Sequence, residues 1–176
     1  MDCKLVAIAL FIFSLDFAHA ANDVWNVLKG SDSKFLMVKR TYERGANKCV
    51  YMKRTSMDES SHTLEVLMGY SKAGTTTDFV EPSKYTVTAT SEGASTYNMM
   101  TVRRGPASHG VKFELVYSDD QGCNILQMKT SPFPGKCELW APEGKAKNVE
   151  SSCSGKFKEL CGDAVETPYA EGCRVP

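Results

Sequence analysis

The sequence predicts an all-β fold: eight short antiparallel strands forming an up-and-down barrel or a sandwich, with a short helix before them and a longer one after. Three observations carry this. Runs rich in β-branched, aromatic and methionine residues recur along the chain. Clusters of turn-forming residues separate them at close spacing. Two stretches, one on each side of the strand region, carry apolar residues at helical spacing instead.

Residues 3–20 read CKLVAIALFIFSLDFAHA: a lysine, an apolar stretch, then Ala18-His19-Ala20 with small residues at both cleavage-site positions. This is the pattern of a secretory signal peptide, expected to be removed after Ala20. The stretch is short for a bilayer span and Asp16 interrupts it. NDVWNVLKG (22–30) sets Val24, Trp25 and Leu28 on one helical face and ends at glycine, which predicts a short helix with Trp25 as a plug. The strands follow: KFLMVKRTY (34–42), KCVYMKRTS (48–56), HTLEVLMGY (62–70), KYTVTAT (84–90), YNMMTV (97–102), VKFELVYS (111–118), CNILQM (123–128) and CELWAP (137–142). RGAN, DESS, SKAG, EPS, SEGAS, RRGPASHG, SDDQG and SPFPGK punctuate them. KAKNVESSCSGKFKEL (145–160) places Val149, Cys153, Phe157 and Leu160 at helical spacing, and Cys161-Gly162 stops it. The tail to Pro176 is irregular. No repeat, low-complexity tract or linker divides residues 21–176, which are expected to form one domain.

Composition excludes several functions. The 176 residues carry 21 Lys plus Arg against 21 Asp plus Glu, so no charge excess draws the chain to nucleic acid or an anionic membrane. The basic pairs Lys39-Arg40, Lys53-Arg54 and Arg103-Arg104 read as solvated strand ends. After the leader only His62 and His109 remain, both in turn contexts, and no Ser-His-Asp or Cys-His arrangement is readable. No phosphate-cradling loop or metal-ligand spacing occurs, so neither an enzyme nor a metal site is expected. No N-x-S/T sequon is present. Cys3 leaves with the leader, and the remaining Cys49, Cys123, Cys137, Cys153, Cys161 and Cys173 imply three disulfides in an oxidising compartment. Six cysteines allow fifteen pairings. A zinc or redox site would want a CxxC, which the chain lacks.

One helix, eight strands, a late helix and an irregular tail is the order of a lipocalin, whose closed barrel is just wide enough for one small ligand. VWNVLKG, FLMVKRTY, KCVYM, VYSDDQGCNIL, CELW and SSCSGKFKELC resemble the tick salivary lipocalins of the histamine-binding protein family, most of all the sterol-carrying, immune-modulating japanin-like group. The resemblance runs the length of the chain after the leader. It implies an up-and-down barrel with the late helix packed outside. It also implies the pairing Cys49–Cys173 and Cys123–Cys153, which leaves Cys137–Cys161. Cys153 and Cys161 lie about 12 Å apart along a continuous helix, too far to bond each other. The helix is then stapled twice to the outside of one barrel wall, and the interior is free of thiols.

In the resembled family the acid of ELW points into the barrel; here it is Glu138. Strand alternation from that point gives an interior list. It comprises Leu36, Val38, Arg40, Tyr42, Val50, Met52, Tyr97, Met99, Val111, Phe113, Leu115, Tyr117, Asn124, Leu126, Met128, Glu138 and Trp140. Leu64, Val66, Met68, Tyr85 and Val87 follow with a less defined parity. This composition suits an apolar ligand. A cationic amine needs buried carboxylate partners, and Phe113 and Asn124 stand where acids could serve. Arg40 is the expected internal neighbour of Glu138. The resemblance therefore implies a secreted salivary protein that binds a sterol such as cholesterol, with no other cofactor, and modulates host immune cells, dendritic cells in particular. Its partners would be that ligand and a host-cell receptor, with homodimerisation open and no membrane insertion. The alternatives are a scavenger of histamine or serotonin, and a complement- or receptor-binding protein that works through its outer loops.

Overall fold

A computed structural model describes residues 22–93, 95–119 and 121–176, except for the side chains of Glu150, Ser151 and Ser152. The expected leader lies outside the described residues. The chain forms α1 (Val24–Lys29), β1 (Lys34–Arg40), β2 (Lys48–Asp58), β3 (Thr63–Ser71), β4 (Ser83–Thr90), β5 (Met99–Arg103), β6 (Val111–Ser118), β7 (Asn124–Met128), β8 (Cys137–Pro142) and α2 (Ala146–Cys161). The strands pair antiparallel in sequence order, and β8 closes back on β1, Arg40 opposite Glu138. This is an up-and-down barrel, not a sandwich, and closure leaves no free sheet edge.

Local chemistry shapes the two ends. Asp58 accepts from the Ser60 N–H and from the Ser60 and Ser61 hydroxyls, tying the β2–β3 turn. The Ser60 and Ser61 bonds hold its carboxyl down at about 2. Asp23 caps α1 by accepting from the Asn26 N–H at 3.1 Å. The Val24 N–H donates to the Tyr97 carbonyl at 2.7 Å. Trp25 meets His62 edge-on at 5.0 Å, and His62 stacks on Tyr97 at 4.2 Å. Arg54 donates to the Leu28 and Gly30 carbonyls. Val24, Trp25 and Leu28 are buried by this arrangement, so α1 floors the barrel at the end carrying the β2–β3 and β4–β5 turns.

Two apolar cores share the strands. The inner one lies within the barrel and includes Phe35, Met37, Met52, Val66, Val87, Met100, Phe113 and Trp140. The outer one lies between the wall and α2, joining Val149, Cys153 and Phe157 to Leu36, Val38, Ile125, Leu139 and Ala141. Disulfides Cys123–Cys153 and Cys137–Cys161 fasten α2 to the starts of β7 and β8, and Cys49–Cys173 fastens the tail to β2. The buried face of α2 is Ala146, Val149, Cys153 and Phe157; Leu160, expected to share it, is 39% exposed. Gly162 ends the helix at φ 83° and donates to the Lys158 carbonyl. On the outer side of β3 the Tyr51 ring lies so close over Gly69 that a Cβ there would come within 2.7 Å of it.

Candidate ligand cavity

The barrel encloses a cavity of about 570 Å³. Its wall includes Phe35 and Met37 from β1, Val50 and Met52 from β2, Met68 from β3, Tyr85 and Val87 from β4, Met100 and Val102 from β5, Val111, Phe113 and Leu115 from β6, Leu126 and Met128 from β7, and Trp140 from β8, with Tyr51, Gly69 and Ser83 also bordering it. Val24, Val27 and Leu28 of α1 form the floor. At the opposite rim, where the β1–β2, β3–β4, β5–β6 and β7–β8 connections gather, Arg44, Asn47, Tyr70, Val80, Glu81, Arg104, Ser108 and Pro132 line it. The polar groups deeper in are Arg40, Tyr42, Asn124 and Glu138.

Glu138 sits just inside the rim and is almost fully buried. The Tyr42 hydroxyl donates to its Oε1, and the Trp140 indole N–H donates to its Oε2 at 2.8 Å. Burial pushes the Glu138 carboxyl above the usual range, against the Tyr42 and Trp140 bonds and the charges of Arg40 and Arg44. Burial, and after it the Glu138 charge, also raise Tyr42, which stays a neutral donor. Tyr42 stacks on Phe133 at 4.5 Å, and the Arg40 guanidinium lies 5.3 Å from the centre of the Tyr42 ring. Near the floor Asn124 is fully engaged: it accepts from the Ser118 hydroxyl at 2.9 Å and donates to the Gly122 and Trp140 carbonyls.

Arg40 does not pair with Glu138 as expected from sequence. Its Nε donates at 2.5 Å to Glu166 of the tail, and a second guanidinium nitrogen pairs with the same carboxylate. The reason is local: the backbone of Val165 and Glu166 forms a one-residue antiparallel bridge with Arg40, which delivers the acid to it.

Of the residues expected inside, Arg40, Tyr42, Val50, Met52, Val111, Phe113, Leu115, Asn124, Leu126, Met128, Glu138 and Trp140 line the cavity, as do Met68, Tyr85 and Val87. Leu64 and Val66 belong to the inner core without lining the cavity. Leu36 and Val38 face the opposite way, into the outer core. The register of β1 on β8 shifts between Met37 and Lys39, so a parity counted back from Arg40 flips at that irregularity. Phe35 and Met37 take the inner places instead. Tyr117 is turned out by a second shift, between Leu115 and Tyr117, and packs with the outer core, Lys156 Nζ lying 5.8 Å from its ring centre. Met99 stands opposite Glu114, whereas Met100 stands opposite Phe113, so Met100 is the inward methionine. Tyr97 precedes β5 and packs at the floor against His62, without lining the cavity. The floor residues of α1 and the rim were absent from the expected set. The apolar face of NDVWNVLKG held the signal for the floor; the rim residues come mostly from the connections, where no periodicity marks a face, and held none.

Among the described residues, no group of three or more His, Cys, Asp or Glu could hold a metal, and no helix is long and apolar enough to cross a membrane. A closed eight-stranded barrel with one end plugged and a largely apolar interior defines a lipocalin-type ligand-binding protein. The family model for the tick histamine binding protein matches residues 12–175, and the chain belongs to that family. Among solved structures, it is similar to japanin from Rhipicephalus appendiculatus bound to cholesterol, with 15% identity, a TM-score of 0.60, and 81% of this chain and 95% of that one covered. It is also similar to AM182 in complex with serotonin (17% identity, TM-score 0.56, 81% and 86% covered) and to apocrustacyanin C1 (12%, 0.52, 85% and 85%). At these identities the likeness is one of fold.

Proposed function

We propose that residues 21–176 form a single secreted domain, delivered in tick saliva, that carries one sterol-like hydrophobic ligand in the barrel and modulates host immune cells. The observation that carries the ligand class is the makeup of the cavity. Its wall is almost wholly aliphatic, aromatic and methionine, and it is large enough for a ligand of drug-like to lipid size. The buried carboxylate just inside the rim, Glu138, already accepts on both oxygens, and burial favours its neutral form. Arg40, Arg44 and Arg104 line the same space. A cationic amine would be desolvated there with little left to pair it. A flat lipid with one hydroxyl instead buries its rings against the wall and can donate to the free lone pairs of Glu138 or Tyr42. The likeness to cholesterol-bound japanin supports this reading. The immune role, with dendritic cells as target, follows from the family resemblance alone.

A second reading, a scavenger of histamine or serotonin, is favoured by the family membership and by a carboxylate inside the barrel. Titration with the fluorescent sterol dehydroergosterol, and calorimetry with histamine and serotonin, separate the two. The sterol is expected to saturate at one per chain, with both amines weak or unbound. Phe113→Asp puts an unpaired charge in the middle of the apolar wall and should abolish sterol uptake, while Phe113→Leu retains it. Sub-micromolar histamine binding without sterol uptake would make the protein an amine scavenger.

A further inference from the structure

The tail after α2 runs between two covalent anchors, Cys161 bonded to Cys137 and Cys173 bonded to Cys49. Between them it lies along the β1–β2 connection. The Arg40 N–H donates to the Glu166 carbonyl, and the Val165 and Glu166 N–H groups donate to the Arg40 carbonyl. Farther along, the Cys49 N–H donates to the Pro168 carbonyl at 2.9 Å and Lys48 Nζ to the Thr167 carbonyl at 2.8 Å. The Glu166 side chain bridges the connection itself. Its Oε2 takes the Arg40 guanidinium; its Oε1 takes the backbone N–H of Arg44 at 3.0 Å and of Ala46 at 3.3 Å. Ala46 holds φ 53°, a conformation L residues rarely adopt, so this turn benefits from an outside partner.

Between those two points of attachment lies Tyr42, the donor to Glu138, and Arg44 belongs to the cavity rim. One tail carboxylate thus holds the segment that carries both a polar group of the cavity and part of its rim. We propose that Glu166 is a positioning residue for the cavity rim, and that the disulfide-anchored tail is a strap that sets how fast ligand enters and leaves. The strap needs only the cavity; the use of a sterol as probe rests on the proposed function.

Hydrogen exchange and ligand release on the full oxidised chain test this, with Glu166→Ala, Glu166→Gln and, as control, Thr167→Ala, whose side chain is exposed. In Glu166→Ala, amide exchange across residues 42–47 should speed up by about tenfold or more, as should dehydroergosterol release, with exchange in β6 and β7 unchanged. Glu166→Gln keeps the shape and part of the acceptor set, and should fall between wild type and Glu166→Ala. Thr167→Ala should match wild type. Wild-type exchange at 42–47 in Glu166→Ala would overturn the proposal. So would protection lost equally from β6 and β7, which would mean general destabilisation. If wild type takes up no dehydroergosterol, the sterol reading fails, and exchange at 42–47 still decides the strap.

Discussion

Glu138 shows how much a single carboxyl can decide. In an apolar cavity its ionised form is disfavoured, and its two donors, Tyr42 and Trp140, offset only part of that cost. A carboxyl raised in the folded state binds its proton more tightly than in the unfolded chain. Its contribution to stability is therefore full below the ordinary carboxylate range and is lost as the pH rises through the raised value. Each tenfold gain in proton affinity on folding is worth about 1.4 kcal/mol. Glu138→Gln removes this titration. The glutamine carbonyl can accept from the Trp140 N–H while its amide donates to the Tyr42 oxygen, which leaves the Tyr42 proton without Glu138 as acceptor at every pH and so shifts the stability of the variant without adding a pH dependence. Melting temperatures of both proteins between about pH 4 and about pH 8 should show wild type losing ground to Glu138→Gln as the pH rises. A difference that stays flat would mean that Glu138 ionises freely. At this scale the sequence was half legible. The family resemblance placed Glu138 inside, and strand alternation counted from it placed Tyr42 there too. The partner of Arg40 could not, because Glu166 lies 126 residues away in a tail with no periodicity to read.

Strands and helix were legible wherever turn residues punctuate them, and parity was hard to read from alternation where a strand is buried on both faces and no inward residue anchors the count. β1 is buried on both. Phe35 and Met37 face the cavity, Leu36 and Val38 face α2, and all four are apolar, so alternation leaves no trace in FLMV. The register shifts on β1 and β6 then reverse the count without a glycine or proline to mark them. The two faces should separate by mutation. Leu36→Ala opens a hole in the outer core and should cost about 2–5 kcal/mol in urea unfolding with the disulfides intact, while sterol affinity is kept. Met37→Ala removes cavity wall and should weaken sterol binding directly. The reverse pattern would restore the parity expected from sequence.

The whole molecule is a barrel with cores on both sides of one wall, and the thiols belong to the outer side. Three disulfides fix α2 and the tail there, outside the cavity, so the pocket can be apolar without carrying reactive sulfur. The architecture was readable because eight short runs, each closed by its own turn cluster, fit few folds. The cysteine pairing was not readable from spacing; it came with the family resemblance. Nor could composition distinguish a filled interior from a hollow one, since methionines and aromatics serve both. The hollow of about 570 Å³ makes a carrier feasible. Native mass spectrometry of the chain secreted from cultured cells, followed by lipid extraction, tests the sterol-carrier reading most directly. The expected result is a one-to-one adduct of sterol mass that disappears on unfolding and is recovered in the extract. A bare polypeptide mass from sterol-containing medium, with no lipid in the extract, would contradict it.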